Sequence, residues 1–361
     1  MVKIKNYILI TIVAFFFVLL VLAVFLKPDG MYSVTERRSL KQQPEFSLEN
    51  VLNGKFMSNF EEYSLDQFPF RDAFRSLKAA TNLKMDNHDL YVWDDGLVSM
   101  EYPLDEKSLE RAGERFLNVY DMYLKDSGCD VYLSIIPDKN YFYADSSGHL
   151  SMDYEKLVSK LTVANPQMTY VDIFPKLSGK DYYRTDTHWR QENLADVAET
   201  LLVSMNNKVE AEYKVVQVSG DFYGVYYGQA ALSVKPDKIK YLTNEVISGL
   251  KVYDYENDKE IPVYDLSQMD EDDPYELYVG GPLSLVSIEN SNAKTDDELI
   301  VFRDSFGRSI APLLAQGYSK VTLVDIRYIQ PGVLKHYIEF EGQDVLFLYS
   351  TMVLNNSETL K

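Results

Sequence analysis

Only one cysteine, Cys129, occurs in 361 residues, so no internal disulfide can brace the fold and a hydrophobic core has to hold it. On its way into an apolar run, that thiol reads as a small buried hydrophobe. Histidines number four, at positions 88, 149, 188 and 336, with no recognisable metal-ligand spacing. Basic residues are outnumbered by 55 acidic to 36, and the net charge of −19 repels nucleic acid over most of the surface. Fixed-period repeats and low-complexity tracts are missing as well. What is plentiful is apolar: 46% of the residues are hydrophobic, enough for a large core and too many for a disordered chain.

Residues 7–26, YILITIVAFFFVLLVLAVFL, form a run of twenty without a charge. At about 1.5 Å of rise per residue it spans roughly 30 Å of hydrocarbon. The run exceeds a signal-peptide core of roughly 7–15 residues, and its exit, AVFLKPDG, offers no convincing small-x-small cleavage site. An uncleaved transmembrane anchor is therefore expected. Lys3 and Lys5 keep residues 1–6 in the cytoplasm and, although Lys27 pulls weakly the other way, the bulk of the chain is expected outside the cell membrane.

From 27 to 85 the spacing of Phe56, Phe60 and Tyr63, then of Phe74 and Leu77, predicts two short amphipathic helices broken at Pro69, a packing collar near the membrane. From 86 to 361 apolar runs alternate with helical patterns. Strands are expected over 130–138, 169–174, 298–302, 320–326 and 344–350. Helices are expected over 154–164, 192–205, 308–316 and from about 331. That alternation predicts an α/β domain with a mostly parallel sheet and helices on both faces. Between about 210 and 297 the rhythm gives way to short β-like pieces and acidic turns, read as a β-rich insertion.

Two segments carry chemistry. In RTDTHWR (184–190), Asp186 and His188 are two residues apart, and in an extended segment both side chains share a face. A carboxylate beside an imidazole fixes its tautomer and stabilises the imidazolium formed on proton uptake. The same pair also fits a helix-capping contact or two ligands of a metal. In LIVFRDSFGRSIAPLL (299–314), a strand runs into Asp304 and Ser305, then Gly307, then a helix. This presents the Ser305 hydroxyl in the crevice at the carboxyl end of a parallel strand, beside unpaired helix N–H groups suited to an oxyanion. Ser305 is also a fair helix N-cap. Read together, His188 is the base that can activate Ser305, and Asp186 orients it. The order along the chain is no obstacle, since geometry alone defines a triad.

GKFMSNFEEYSLDQFPFRD, DTHW and FRDSFG, in that order, resemble the DHHW-motif family of bacterial exported proteins, related to the alginate O-acetyltransferases with an SGNH-hydrolase-like domain. The resemblance covers nearly all of the chain after the anchor. It implies a flavodoxin-like SGNH fold with Asp186, His188 and Ser305 as catalytic triad and no cofactor. Thr187 replaces the first histidine of the family's name, at a position outside the triad. The Gly-plus-Asn oxyanion pair of SGNH hydrolases is not evident. Gly224, Gly280, Gly281 and Asn140 are the candidates. Trp189, Tyr183 and Arg327 are candidate walls of the substrate site. Tyr182, Tyr223, Tyr226 and Tyr227 are further candidates for stacking on sugar rings. Arg303, Arg308 and Arg327 either bind an anionic group of the substrate or pair with carboxylates.

The expected activity is transfer or removal of O-acetyl groups on a cell-surface polysaccharide. The resemblance also implies a membrane-bound O-acyltransferase partner that supplies acetyl groups. A non-catalytic glycan-binding or assembly protein with the same fold, or a lipase or peptidase with the same triad, are the rival readings.

Overall fold

A computed structural model describes residues 2–69, 71, 75, 89–232 and 234–361. The chain divides into two units, residues 1–88 with 227–233, and residues 89–226 with 234–361.

The first unit contains a helix over Val2–Leu26, a ribbon of β1 (Tyr32–Ser33) and β2 (Arg38–Ser39), and helices Leu48–Leu52 and Lys55–Asp66. Some side chains of Val2–Leu26 are outside the described set, and among the described residues no helix is long and apolar enough to cross a membrane. Phe56, Phe60 and Tyr63 line one side of Lys55–Asp66, with successive ring centroids 5.9 and 6.0 Å apart. The helix expected around Phe74 and Leu77 lies outside the described residues, as does His88. Glu36 is buried, and its charge is met by Arg38 and Arg75, each at 2.8 Å, and by Arg71.

The second unit is built on eight strands: β5 (Asp130–Ile136), β6 (Thr169–Tyr170), β9 (Lys251–Asp254), β10 (Lys259–Ile261), β11 (Leu285–Glu289), β12 (Glu298–Arg303), β13 (Lys320–Val324) and β14 (Asp344–Ser350). Their order is β10-β9-β11-β13-β12-β14-β5-β6. Pairing is parallel from β13 to β6 and antiparallel from β13 to β10. The sheet is parallel-rich, as expected, with an antiparallel edge that the expectation did not include. The stretch over 210–297 supplies β9, β10 and β11 to this sheet. Only a four-residue turn separates β9 from β10, too short for a crossover, so the pair has to be antiparallel. Two antiparallel ribbons stand apart, β3 (Leu90–Trp93) with β4 (Gly96–Ser99), and β7 (Lys214–Gln217) with β8 (Lys240–Thr243).

Alternation along the strands feeds two cores. On one face Leu299 and Val301 of β12 and Leu346 and Leu348 of β14 pack with Val197 and Leu201 of helix Ala195–Ser204 and with Ile310 and Leu313 of helix Gly307–Leu314. On the other, Ile300, Phe302, Val345 and Phe347 meet Leu109 and Phe116 of helix Glu106–Val119 and Leu157 and Leu161 of helix Tyr154–Ala164. Because every second residue of a strand is apolar and buried on each side, the sheet cannot slip register without exposing a core. Cys129 sits at the start of β5, where its thiol donates to Gln343 Oε1 at 3.4 Å.

The parallel strands β5, β12 and β14 end together. Asp138 N–H donates to the Thr351 hydroxyl at 3.1 Å, and Ser350 N–H donates to Asp304 Oδ2 at 2.8 Å. The loops leaving these ends build the site.

Candidate active site

Asp304 follows the last residue of β12 and shapes the turn that carries Ser305. Its Oδ1 accepts the Phe306 N–H at 3.0 Å and its Oδ2 fastens the turn to β14. The Gly307 N–H goes to the Asp304 carbonyl at 3.2 Å. With the Arg308 N–H on the Ser305 carbonyl at 3.4 Å, the first two N–H groups of helix Gly307–Leu314 are consumed by the turn itself, contrary to the expectation of free donors there. Ser305 is half-buried and has no capping bond to that helix.

The segment 182–190 is a tight hairpin loop, with Tyr183 N–H on the His188 carbonyl at 3.0 Å and Arg190 N–H on the Asp181 carbonyl at 2.7 Å. Asp186 and His188 therefore meet through a side-chain turn, not through strand alternation: Asp186 Oδ1 accepts the His188 N–H at 3.0 Å. The same oxygen lies 2.6 Å from His188 Nδ1, and His188 Nε2 lies 2.8 Å from Ser305 Oγ. Across 117 residues of sequence, one hydrogen-bonded chain joins carboxylate, imidazole and hydroxyl.

Each member is held from behind. The Asp186 carboxylate is fully buried, and its Oδ2 accepts the Val225 N–H at 2.9 Å. The His188 ring stacks on Tyr275 at 3.9 Å between centroids and leans on Phe306 at 4.8 Å. Burial pushes the Tyr275 hydroxyl up in pKa, so it stays protonated and donates to Ser309 Oγ at 2.8 Å. Trp189 Nε1 donates to the same oxygen at 2.8 Å, which ties the wall behind His188 to the helix that follows Ser305. Beneath the loop, burial pushes Lys139 down to about 7, against the pull of the Asp186 and Asp237 carboxylates. Asp237 closes the loop from below, accepting the Thr185 N–H at 2.8 Å and Arg190 Nη2 at 2.9 Å.

Several expected roles change. Gly224 donates its N–H to Thr185 Oγ1 at 3.0 Å, so it is spent as an oxyanion donor. Its lack of a side chain matters instead, because a Cβ there would sit 2.2 Å from Asp186 Cβ. Gly224→Ala is expected to displace the carboxylate and to lower acetyl-ester turnover by about 10²-fold, checked by steady-state kinetics beside a melting curve. The Gly281 N–H is given to the Tyr278 carbonyl at 3.2 Å, and Gly280 faces Ile261 and Leu283. Asn140 is buried with its amide on the Leu150 carbonyl and its oxygen on the Tyr91 hydroxyl. The donors of Gly224, Gly281 and Asn140 are thus engaged within the protein. Trp189 and Tyr183 are fully buried core residues. Tyr182 and Tyr226 are buried too, whereas Tyr223 is 44% exposed. Arg327 is held on both oxygens of Asp325 at 2.9 and 2.7 Å, and Arg303 pairs with the same carboxylate at 3.1 Å. Arg308 pairs with no carboxylate among the described residues. Thr187 donates its hydroxyl to Met352 Sδ at 2.9 Å. Among the described residues no three His, Cys, Asp or Glu side chains are grouped to hold a metal ion.

Two solved structures share the fold. A DHHW family protein from Eubacterium siraeum is 19% identical, with a TM-score of 0.58 over 76% of this chain and 97% of that one. Bacillus cereus PatB1, solved with a sulfonyl adduct, is 18% identical, with a TM-score of 0.59 over 73% and 95%. The O-acetyltransferase domain of Pseudomonas putida AlgJ is more distant, at 14% identity and a TM-score of 0.42 over 74% and 92%. No curated protein matches the sequence. The family model described as DHHW protein matches residues 126–324, more than half of the chain and the span that holds Asp186, His188 and Ser305, and the chain belongs to that family.

Proposed function

We propose that this protein is a serine acyltransferase or esterase acting on O-acetyl groups of a cell-surface polysaccharide. The observation that carries the reading is the hydrogen-bonded chain from Asp186 through His188 to Ser305, at 2.6 and 2.8 Å. With Nδ1–H donated to Asp186, the Nε2 lone pair faces the Ser305 hydroxyl, the tautomer a general base needs. Ser305 Oγ attacks the acyl carbon of an acetyl ester as His188 takes its proton. His188 then returns the proton to the leaving alcohol, and an acyl-serine remains. In the second half His188 activates a sugar hydroxyl, giving transfer, or water, giving hydrolysis. A positioned base contributes on the order of 10²–10⁴-fold.

The reading includes an anchor at 7–26, with residues 1–6 in the cytoplasm and the catalytic unit outside, where surface glycan is found. Its support is the uncharged run of twenty residues and the two lysines before it. A membrane-bound O-acyltransferase would supply acetyl groups from the other side.

A fluorophosphonate that labels activated serines tests the chemistry. Labelling of the wild type that vanishes in Ser305→Ala is expected, together with Ser305-dependent hydrolysis of a short acetyl ester. A wild type that takes no label yet binds surface glycan would mark a binding protein. Preference for long-chain esters or peptides would mark a lipase or peptidase, because acetyl specificity needs a small acyl pocket.

A further inference from the structure

Arg308 lies one turn beyond the nucleophile on helix Gly307–Leu314 and is 4% exposed. Its Nε donates to the carbonyl of Ser305 at 3.3 Å, so the guanidinium rests on the backbone of the nucleophile itself. Its Cζ lies 5.6 Å from the centre of the Tyr275 ring, the same ring that supports His188. Nη1 is buried and has no hydrogen-bond partner among the described residues. This is unlike the other arginines at the strand ends: Arg303 and Arg327 both meet Asp325.

A permanently charged group taken out of water without an anion costs several kcal/mol, and a buried donor left unmade adds to that. The Ser305 carbonyl and the Tyr275 ring offset part of this cost, but no carboxylate among the described residues meets the charge. An anion arriving during the reaction does. Of the expected oxyanion donors, Gly224, Gly281 and Asn140 are spent within the protein, and the N–H groups of Phe306 and Gly307 are taken by Asp304.

We propose that Arg308 is the side-chain oxyanion donor of this site. The inference rests on the acyl-transfer reading above. As Ser305 Oγ bonds to the acyl carbon and its proton passes to His188, the carbonyl electron pair moves onto oxygen. Nη1 of Arg308 then gains the hydrogen bond it lacks in the resting protein. When the leaving alcohol departs with the proton of His188, the carbonyl reforms and the bond weakens. A charge that is satisfied only in the transition state acts on kcat, not on ground-state binding.

The full chain is assayed with p-nitrophenyl acetate. Arg308→Gln and Arg308→Ala are expected to lower kcat by about 10²–10³-fold with KM inside about threefold of wild type. Free guanidinium added to Arg308→Ala is expected to restore part of the lost kcat, a rescue that a merely structural role would not give. Melting curves accompany each variant, and Arg308→Lys, which keeps the charge without the planar fork, is expected to fall between wild type and Arg308→Gln. The proposal is overturned if either neutral variant keeps kcat within about threefold of wild type, if only KM rises, or if the loss follows the melting temperature and guanidinium restores nothing. A wild type without Ser305-dependent turnover would instead sink the acyl-transfer reading, and this inference with it.

Discussion

Replacing His188 with alanine is expected to cut acetyl-ester turnover by about 10⁴-fold or more, with the fold kept. The imidazole links a buried carboxylate to the Ser305 hydroxyl, 2.6 Å on one side and 2.8 Å on the other. Without it the hydroxyl has no acceptor for its proton, and a neutral serine is a poor nucleophile. What stability is lost comes from the stacking on Tyr275, worth about 0.5–1.5 kcal/mol for ring pairs of this kind. Asp186→Asn should lose a comparable factor for a different reason. An amide in place of the carboxylate favours the wrong imidazole tautomer, and it can no longer accept from both His188 N–H and Val225 N–H while facing Nδ1. Because units of a triad fail together, Asp186→Asn combined with Ser305→Ala should be little worse than Ser305→Ala alone. Initial rates on a short acetyl ester decide the matter, and near-normal rates in His188→Ala would end the triad reading.

The largest expected loss of stability lies one strand away. Asp325 follows β13, is fully buried, and accepts from Arg303 at 3.1 Å and from Arg327 at 2.7 Å on one oxygen. Burial by itself would raise its pKa, but the hydrogen bonds and charges of Arg327 and Arg303 outweigh that and hold the carboxyl below its usual value. Asp325→Ala strands two guanidinium groups, one of them wholly inside the protein with an Nε that already lacks a partner. The expected cost is about 3–5 kcal/mol, read as a fall in the denaturant midpoint at neutral pH. Since the folded-state pKa is depressed, the contribution of Asp325 is present above the usual carboxylate range and fades as pH falls through the lowered value. The gap between wild type and Asp325→Ala should therefore narrow in acid. An unchanged midpoint at neutral pH would show that the arginines find other partners.

Regular elements of the second unit were largely legible in the residues, because period-2 and period-3.6 patterns directly report burial. Helix Tyr154–Ala164 and strand β14 have the expected ends, and β5 and β12 differ by no more than two residues. The antiparallel half of the sheet was harder to read. β9, β10 and β11 are short and separated by acidic turns, and which sheet a short strand joins is decided by partners far along the chain. Ser305 could be found because a strand running into a turn and a helix marks a presented side chain. Asp186 and His188 could be found because their types and spacing suit one chemistry, although a turn and not an extended strand unites them. Tyr275, which supports the imidazole, comes from the least regular stretch of sequence and gave no signal. The failure of Gly224 and Asn140 as oxyanion donors is of the same origin. Whether an N–H is free depends on what the fold brings to it, and no local pattern records that.

Asp304 stitches the bend carrying Ser305 to the last residue of β14, using both of its oxygens. The reactive hydroxyl thus has no hinge of its own and rides on the central strands as a fixed fitting. Heat should spare catalysis until those strands themselves part company, so that inactivation and global melting share one temperature.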